Sequence, residues 1–339
     1  MGKKENILVA EKKKTVKEQT LQILIDTQGK AISGEEIAKR LGVTRSAVWK
    51  GIQNLQKEGY DVEGTTKRGY VLNGLCNKLS REAILKHIKH PSFPMQIRAY
   101  DEVVSTNLIA KEMAETGEQE GLVILAEMQT GGRGRLGRDF FSPKGTGIYM
   151  SMLLRPQIPM EQSILLTVAS AVATAEAIEE VFGGEIEIKW VNDVWKDGKK
   201  VSGILTEGSI SMETGELEYM VVGIGINVFV PQGGFPEPLR EVATAMAVGR
   251  DQMGEIRNLL VAKILQKFWN FYTNIEKREF YEKYKKRCFV IGKQVFIEKK
   301  DSKIPVKVLD LDEQCRLVVQ YESGEIDHLQ SGEISVRIE

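Results

Sequence analysis

Apolar side chains recur at helical spacing near the start of this chain and mostly at strand spacing further on. Leu21, Leu24 and Ile25 share one face of a short helix over Thr20 to Thr27. A second helix is marked from Ser33 to Leu41. Ser33 is its N-cap, Glu36 the reciprocal member of a capping box, and Gly42 the residue that ends it. Thr44 caps a third helix, running to about Glu58, with Val48, Ile52 and Leu55 on one face. Val62 to Leu72 then reads as a hairpin with Lys67 and Arg68 at its tip. Helix, glycine turn, amphipathic helix and hairpin predict a winged helix-turn-helix over residues 1–74.

From about residue 80 strands and helices alternate. Ile97 to Tyr100 and Leu122 to Glu127 read as strands around a helix from Asn107 to Thr116. Ile148 to Leu154 is a buried strand, and Ser163 to Glu180 a long, alanine-rich buried helix. Glu185 to Trp190, the stretch from Lys199 to Glu207, and Tyr219 to Ile226 are further strands. The pattern predicts an α+β domain over 80–285, a mixed sheet with helices on one side. Short strands at Gln294 to Glu298, Val306 to Leu309 and Leu317 to Gln320 predict a small β domain over 286–339.

Composition adds one fact of weight. The net charge of zero conceals a split: residues 1–74 hold fourteen Lys and Arg against nine Asp and Glu, and the rest of the chain thirty-three against thirty-eight. A basic first segment calls for an anionic partner. Arg45, Ser46, Trp49, Lys50 and Gln53 lie on the outer face of the third helix, with Thr44 at its cap, and suit a DNA major groove; Lys67 and Arg68 suit phosphates. The alternatives are a winged helix used for protein contacts, and Trp49 as a packing residue. Hydrophobic residues at 42% and charged residues at 28% are ordinary globular values. No apolar run approaches the ~20 residues of a membrane span, and the start lacks a signal-peptide core. Cys76, Cys288 and Cys315 are odd in number and widely spaced, which suits a reducing cytoplasm. His87, His90 and His328 form no metal or catalytic set.

The densest chemistry is Gly131-Gly132-Arg133-Gly134-Arg135-Leu136-Gly137-Arg138, directly after an apolar strand. Glycines let backbone approach a ligand, and interleaved arginines would repel one another unless an anion sits among them. Gly132-x-Gly134-x-x-Gly137 matches a dinucleotide pattern only in letters. That motif needs a helix to open at its third glycine. Here Asp139 to Gly147 is broken by proline and glycine and leads to a strand. Walker A spacing is absent too. The reading is strand, cationic loop, strand, to be weighed against a mobile basic loop.

Three further clusters carry chemistry. Ser105-Thr106-Asn107 precedes a helix, where one side chain can cap and the others can bind a polar ligand head. Lys189, Asn192, Asp193 and Lys200 surround a strand–turn–strand. Asp193 either holds Mg²⁺ on nucleotide phosphates or pairs with a lysine. Gly223-Ile224-Gly225-Ile226-Asn227 is a strand with glycine at alternate positions, which calls for a ligand or a closely packed helix against it.

These motifs, in this order over more than a hundred residues, resemble the biotin–protein ligase family. They include Gln129 before the loop, Lys189-Trp190-Val191-Asn192-Asp193 and Lys200-Val201-Ser202-Gly203-Ile204. With the winged helix, the chain resembles the family's bifunctional ligase and biotin-operon repressor branch. Lipoate ligases and octanoyl transferases share the fold, but the arginine loop with Lys200-x-x-Gly203 favours biotin. The resemblance implies an SH3-like C-terminal barrel and a two-step reaction: biotin and ATP give biotinyl-5′-AMP, and a lysine of a biotin carboxyl carrier domain then takes the biotin. It implies Ser105, Thr106, Asn107, Gln129, Gly132, Gly134, Gly203 and Gly223 around biotin, and Arg133, Arg135, Lys189 and Lys200 as the catalytic cations. It further implies Arg138, Phe140, Asn192, Ile226 and Asn227 around the adenylate, Mg²⁺ at Asp193, operator DNA as partner, and a homodimer once loaded with biotinyl-5′-AMP. Two positions depart from the family: Val191 stands where proline is usual, and Phe140 where tryptophan is.

Overall fold

The computed structural model describes residues 15–336 apart from 28, 58–59, 66–68, 75–77, 90–92, 212, 214, 248–254 and 300–301. The chain divides into two compact units, Met1–Lys78 and Leu79–Glu339.

The first unit contains α1 (Val16–Asp26), α2 (Gly34–Leu41), α3 (Arg45–Lys57), β1 (Asp61–Thr65) and β2 (Gly69–Gly74). Helix α1 starts at Val16 rather than Thr20 because Thr15 and Glu18 form a complete capping box. At α2 only half of the expected box forms. Ser33 Oγ accepts from Glu36 N at 3.1 Å, but the Glu36 carboxylate turns along the helix to Arg40 Nε at 2.9 Å. An opposite charge one turn on outcompetes a neutral N–H. Gly42, at φ 65°, closes α2, and Thr44 Oγ1 accepts from Ala47 N to open α3. Leu21, Leu24, Ile37, Val48, Ile52 and Leu55 form the core. Tyr70 exchanges both backbone hydrogen bonds with Ile32, which fastens the hairpin to the approach to α2. Thr44, Arg45, Ser46, Trp49 and Lys50 are all exposed, Trp49 by 53%, so the indole is not a packing residue. Lys67 and Arg68 lie outside the described residues.

The second unit runs α4 (Arg81–Lys86), β3 (Gln96–Tyr100), α5 (Thr106–Glu115), β4 (Leu122–Ala126), β5 (Gly147–Leu154), α6 (Ile164–Phe182), β6 (Glu187–Lys189), β7 (Asp193–Lys196), β8 (Lys199–Ile210) and β9 (Leu217–Asn227). There follow α7 (Glu237–Arg240), α8 (Ile256–Tyr272), α9 (Tyr281–Arg287), β10 (Gln294–Lys299), β11 (Ser302–Leu311), β12 (Leu317–Tyr321), β13 (Ile326–Leu329) and β14 (Glu333–Val336). A seven-stranded sheet has the order β3-β4-β5-β9-β8-β7-β6, parallel only between β3 and β4. Helices are not confined to one side. Val123, Leu125, Met150 and Met152 face α6 and α8, whereas Leu122, Ile124 and Leu153 face α5. Strands that are buried at every position need cover on both faces, and β4 and β5 are such strands.

Behind this sheet lies a buried ion pair. Arg257 of α8 donates to both oxygens of Glu127 and to Gly147 O, and Leu79 N donates to Glu127 Oε1 at 2.6 Å. The pair thereby ties together the end of β4, the start of β5 and the lead-in to α4. The C-terminal strands form an antiparallel sheet, β13-β12-β11-β10-β14, in which the three expected strands gain two neighbours. No helix among the described residues is long and apolar enough to cross a membrane.

Candidate active site

The site begins with the period of a strand. On the face that α5 covers, Tyr149 of β5, Gly225 of β9 and Gly203 of β8 stand in register, followed by Ser151, Gly223 and Leu205. Helix α5 starts above this row, so the glycines leave a floor without side chains just beyond its N-terminus. A cavity of about 360 Å³ results, walled by the start of α5, roofed by the glycine–arginine loop, and closed at one side by Gly332 and Ile334 of the small sheet.

One end of the cavity is neutral and highly ordered. Ser105, Thr106 and Asn107 are buried there. Ser105 is the helix N-cap by position, yet its side chain makes no capping bond and lines the cavity instead. Thr106 N donates to Gln129 Oε1 at 2.8 Å, and Gln129 Nε2 donates to Ser142 Oγ at 3.0 Å. Asn107 Nδ2 reaches Glu207 Oε2 at 2.7 Å. A Cβ at Gly223 would lie 2.2 Å from Asn107 Oδ1, so only glycine admits the amide here. Ser151, Glu207 and Tyr149 were not legible as site residues, since they look like ordinary strand positions until the register is known.

The other end is cationic. Lys200 Nζ donates to Asp193 Oδ1 at 2.6 Å. Arg135 Nη1 donates to Asn192 Oδ1 at 3.0 Å, and Asn192 Nδ2 to Ile204 O at 2.9 Å. Lys189 Nζ sits 5.6 Å from the centre of the Trp195 ring. Phe140 lies over Gly225, where a Cβ would come within 2.5 Å of the ring, and meets Tyr149 edge to face. The turn carrying Asn192 is held from beneath: Trp190 Nε1 donates to Cys315 O and Tyr284 Oη to Val191 O, each at 3.0 Å. The Trp190–Val191 peptide is cis. Burial pushes the Cys288 and Cys315 thiols up to about 12.

Between β4 and β5 the loop contains a three-residue 3-10 turn, Arg135–Gly137, and no α-helix opens at Gly137. Gly134 N donates to Arg138 O at 2.7 Å and Phe140 N to Gly132 O at 2.9 Å, which draws the loop into a tight arch. Arg133 and Arg138 are exposed, the latter 4.0 Å from Glu298 of the small sheet.

Two of the expected site residues stand apart from the cavity wall. The Ile226 side chain is fully buried in the core on the α6 and α8 face, because strand alternation turns it away from Gly225. Gly132 does not line the cavity; a Cβ there would fall 2.5 Å from Phe140 O, so this glycine serves the closure of the arch. Gly134, Arg135, Arg138, Asn192, Gly203, Asn227, Lys189 and Lys200 all line it. Asp193 shares its carboxylate with Lys200, and no group of three His, Cys, Asp or Glu among the described residues could hold a metal. His87 and His328 pair with Glu255 and Asp312; His90 and Cys76 lie outside the described residues.

A central sheet with a cleft lined by glycine and cations, in a chain that also carries a helix-turn-helix unit, defines a class of ligases with a regulatory domain. Residues 100–227 match the biotin/lipoate A/B protein ligase family, 16–71 an HTH domain and 290–337 the biotin protein ligase C-terminal domain. The chain is 38% identical over 251 residues to the bifunctional ligase/repressor BirA of Bacillus subtilis, covering 73% of this chain and 77% of that one. It is 28% identical over 321 residues to BirA of Salmonella typhimurium, covering 91% and 94%. Among solved structures, the biotin protein ligase of Aquifex aeolicus in complex with biotin and ATP aligns with a TM-score of 0.58 and 29% identity, over 72% of this chain and 99% of that one. The chain belongs to the biotin–protein ligase family, in its branch of bifunctional ligase/repressors.

Proposed function

We propose that this chain joins biotin to ATP to form biotinyl-5′-AMP, transfers the biotin to a lysine of a biotin carboxyl carrier domain, and uses the adenylate as corepressor at an operator. In the first step a biotin carboxylate oxygen attacks the α-phosphorus and the bond to pyrophosphate breaks. In the second the carrier amine attacks the acyl carbon and AMP departs. Neither step needs a nucleophile from the enzyme. Both need cations that bring anions together and hold charge as it develops on phosphate.

The observation that carries this reading is the division of one cavity into an ordered neutral end and a cationic end. Ser105, Thr106, Asn107 and Gln129 suit the ring urea of biotin, and the glycine floor of Gly203 and Gly223 suits its flat bicycle. Lys200, at the junction, would hold the carboxylate against the α-phosphate, with Arg133 and Arg135 closing from the loop. Lys189 and Arg138 suit the pyrophosphate side, and Asn192, Asn227 and the Phe140 ring the adenosine. Mg²⁺ would arrive on the nucleotide phosphates and touch the Asp193 carboxylate; a single acidic ligand with substrate oxygens fits that ion's habits. When bound it would screen phosphate charge.

The exposed face of α3 would enter a major groove, with Lys67 and Arg68 on phosphates. Loading with the adenylate would favour a homodimer matched to a palindromic operator. A carrier domain as substrate and two buried thiols suit the cytoplasm. Incubation with ATP, labelled biotin and a carrier domain, followed by an operator gel shift with and without biotinyl-5′-AMP, tests both halves. Label on the carrier and a shift that depends on adenylate are expected; failure of either refutes that half.

A further inference from the structure

Hydrogen-bond directions at the neutral end of the cavity are set by a residue outside it. Glu207 of β8 faces Asn107, and an ionised carboxylate only accepts hydrogen bonds. The Asn107 amide must therefore turn its NH₂ to Glu207 Oε2, at 2.7 Å, and its oxygen the other way. Lys111 engages the second Glu207 oxygen, which leaves Oε2 to Asn107. Gly223 backbone lies so close that the amide has no other place to go, and only its orientation is open.

That orientation decides where one proton sits. The Ser151 hydroxyl, fully buried, is 2.6 Å from Asn107 Oδ1 and 2.7 Å from Thr106 Oγ1. One hydroxyl carries one proton and cannot serve both. With Oδ1 turned toward it, Ser151 gives its proton to the amide oxygen, the nearer and stronger acceptor. The Thr106 proton is then shared between Ser151 Oγ, at 2.7 Å, and Gln129 Oε1, at 3.1 Å. Thr106 Oγ1 is then left with a lone pair and no proton for a ligand. Were the amide reversed, Ser151 would accept from it and fill that lone pair.

We propose that Glu207 is a positioning residue for ligand selectivity: by fixing the Asn107 amide it draws the Ser151 proton away from Thr106, so that Thr106 Oγ1 accepts from a ligand N–H. The inference rests on the reading that the start of α5 receives the ring urea of biotin, a group with two N–H donors.

The test measures biotin binding by calorimetry, and KM for biotin and ATP, in the full-length chain. Glu207→Gln can present either end of its amide, so Asn107 loses its single orientation. Biotin Kd and KM should rise about tenfold, the worth of one hydrogen bond, with kcat and KM for ATP within about twofold. Lys111→Met, which keeps the carboxylate, should stay within about twofold in all of these. Adding Ser151→Ala to Glu207→Gln removes the proton that blocks Thr106 and should recover most of the lost affinity, a rescue that a merely structural role would not show. Wild-type affinity in Glu207→Gln, an equal loss in Lys111→Met, or no rescue in the double variant would each overturn the relay. If the wild-type chain binds no biotin, the reading of the site falls and the relay with it.

Discussion

On the proposed reading the chemistry turns on Lys200, and its surroundings suit a lysine. It stands between the neutral and cationic ends, paired with Asp193, over the Gly203 position where a Cβ would lie 3.0 Å from its ammonium nitrogen. Lys200→Ala should slow adenylate formation by about a hundredfold or more, the usual scale for removing a group that stabilises charge at the reacting centre. Single-turnover pyrophosphate release measures it, and a wild-type rate would refute the role. The place of this residue on the cavity wall, like that of Arg135, Gln129 and the Ser105-Thr106-Asn107 run, was legible because its motif is local in sequence. Ser151 and Glu207 were not, because a polar residue on a strand shows its purpose only when its neighbours across the sheet are known. The Ile226 side chain faces the core although it adjoins Gly225, because a motif read as a string ignores the alternation of faces.

Elements are joined at a few points that can be broken singly. Arg257→Met would leave the Glu127 carboxylate buried and unpaired at the junction of α8, β4 and β5, and should lower stability by about 3–5 kcal/mol. Replacing both partners with apolar residues should recover much of that loss, and denaturant unfolding measures both. The glycine–arginine arch is joined to the Asn192 turn through Arg135. Arg135→Ala should speed release of biotinyl-5′-AMP by about 10- to 100-fold, since charge-assisted hydrogen bonds are worth ~1.5–3 kcal/mol. An unchanged dissociation rate counts against the loop as a clamp. In the small sheet, burial alone would raise the Asp312 pKa. Hydrogen bonds from His328 and from the backbone and guanidinium of Arg316 outweigh that and hold it below the usual range. A depressed carboxylate stabilises the fold above its unfolded value of about 4 and loses that contribution as pH falls through the folded one. Asp312→Asn should flatten this acid limb of the unfolding midpoint; an unaltered limb would show that Asp312 contributes little.

At the scale of the whole molecule, the proposed reading gives two units two activities that mutation should separate. Arg45→Ala with Lys50→Ala, on the exposed face of α3, should weaken operator binding. The dependence of log K on log salt should become shallower by about 0.9 for each phosphate that the variant no longer neutralises. Ligation should be unchanged. A loss of ligation with intact DNA binding would overturn the assignment of roles to the units. The small C-terminal sheet belongs to the catalytic unit, because Gly332 and Ile334 wall the cavity and Cys315 O holds Trp190.

Local order was written in the chain. Helix caps, the period of apolar residues, the charge split and the glycine–arginine run depend on residues close in sequence, so they can be read without coordinates. Tertiary structure alone decided which face of each strand lines the cavity, that α5 and α6 cover opposite sides of one sheet, and that Arg257 finds Glu127. Each of these is a choice among partners of similar chemistry, and only distance and burial in the folded chain discriminate between them.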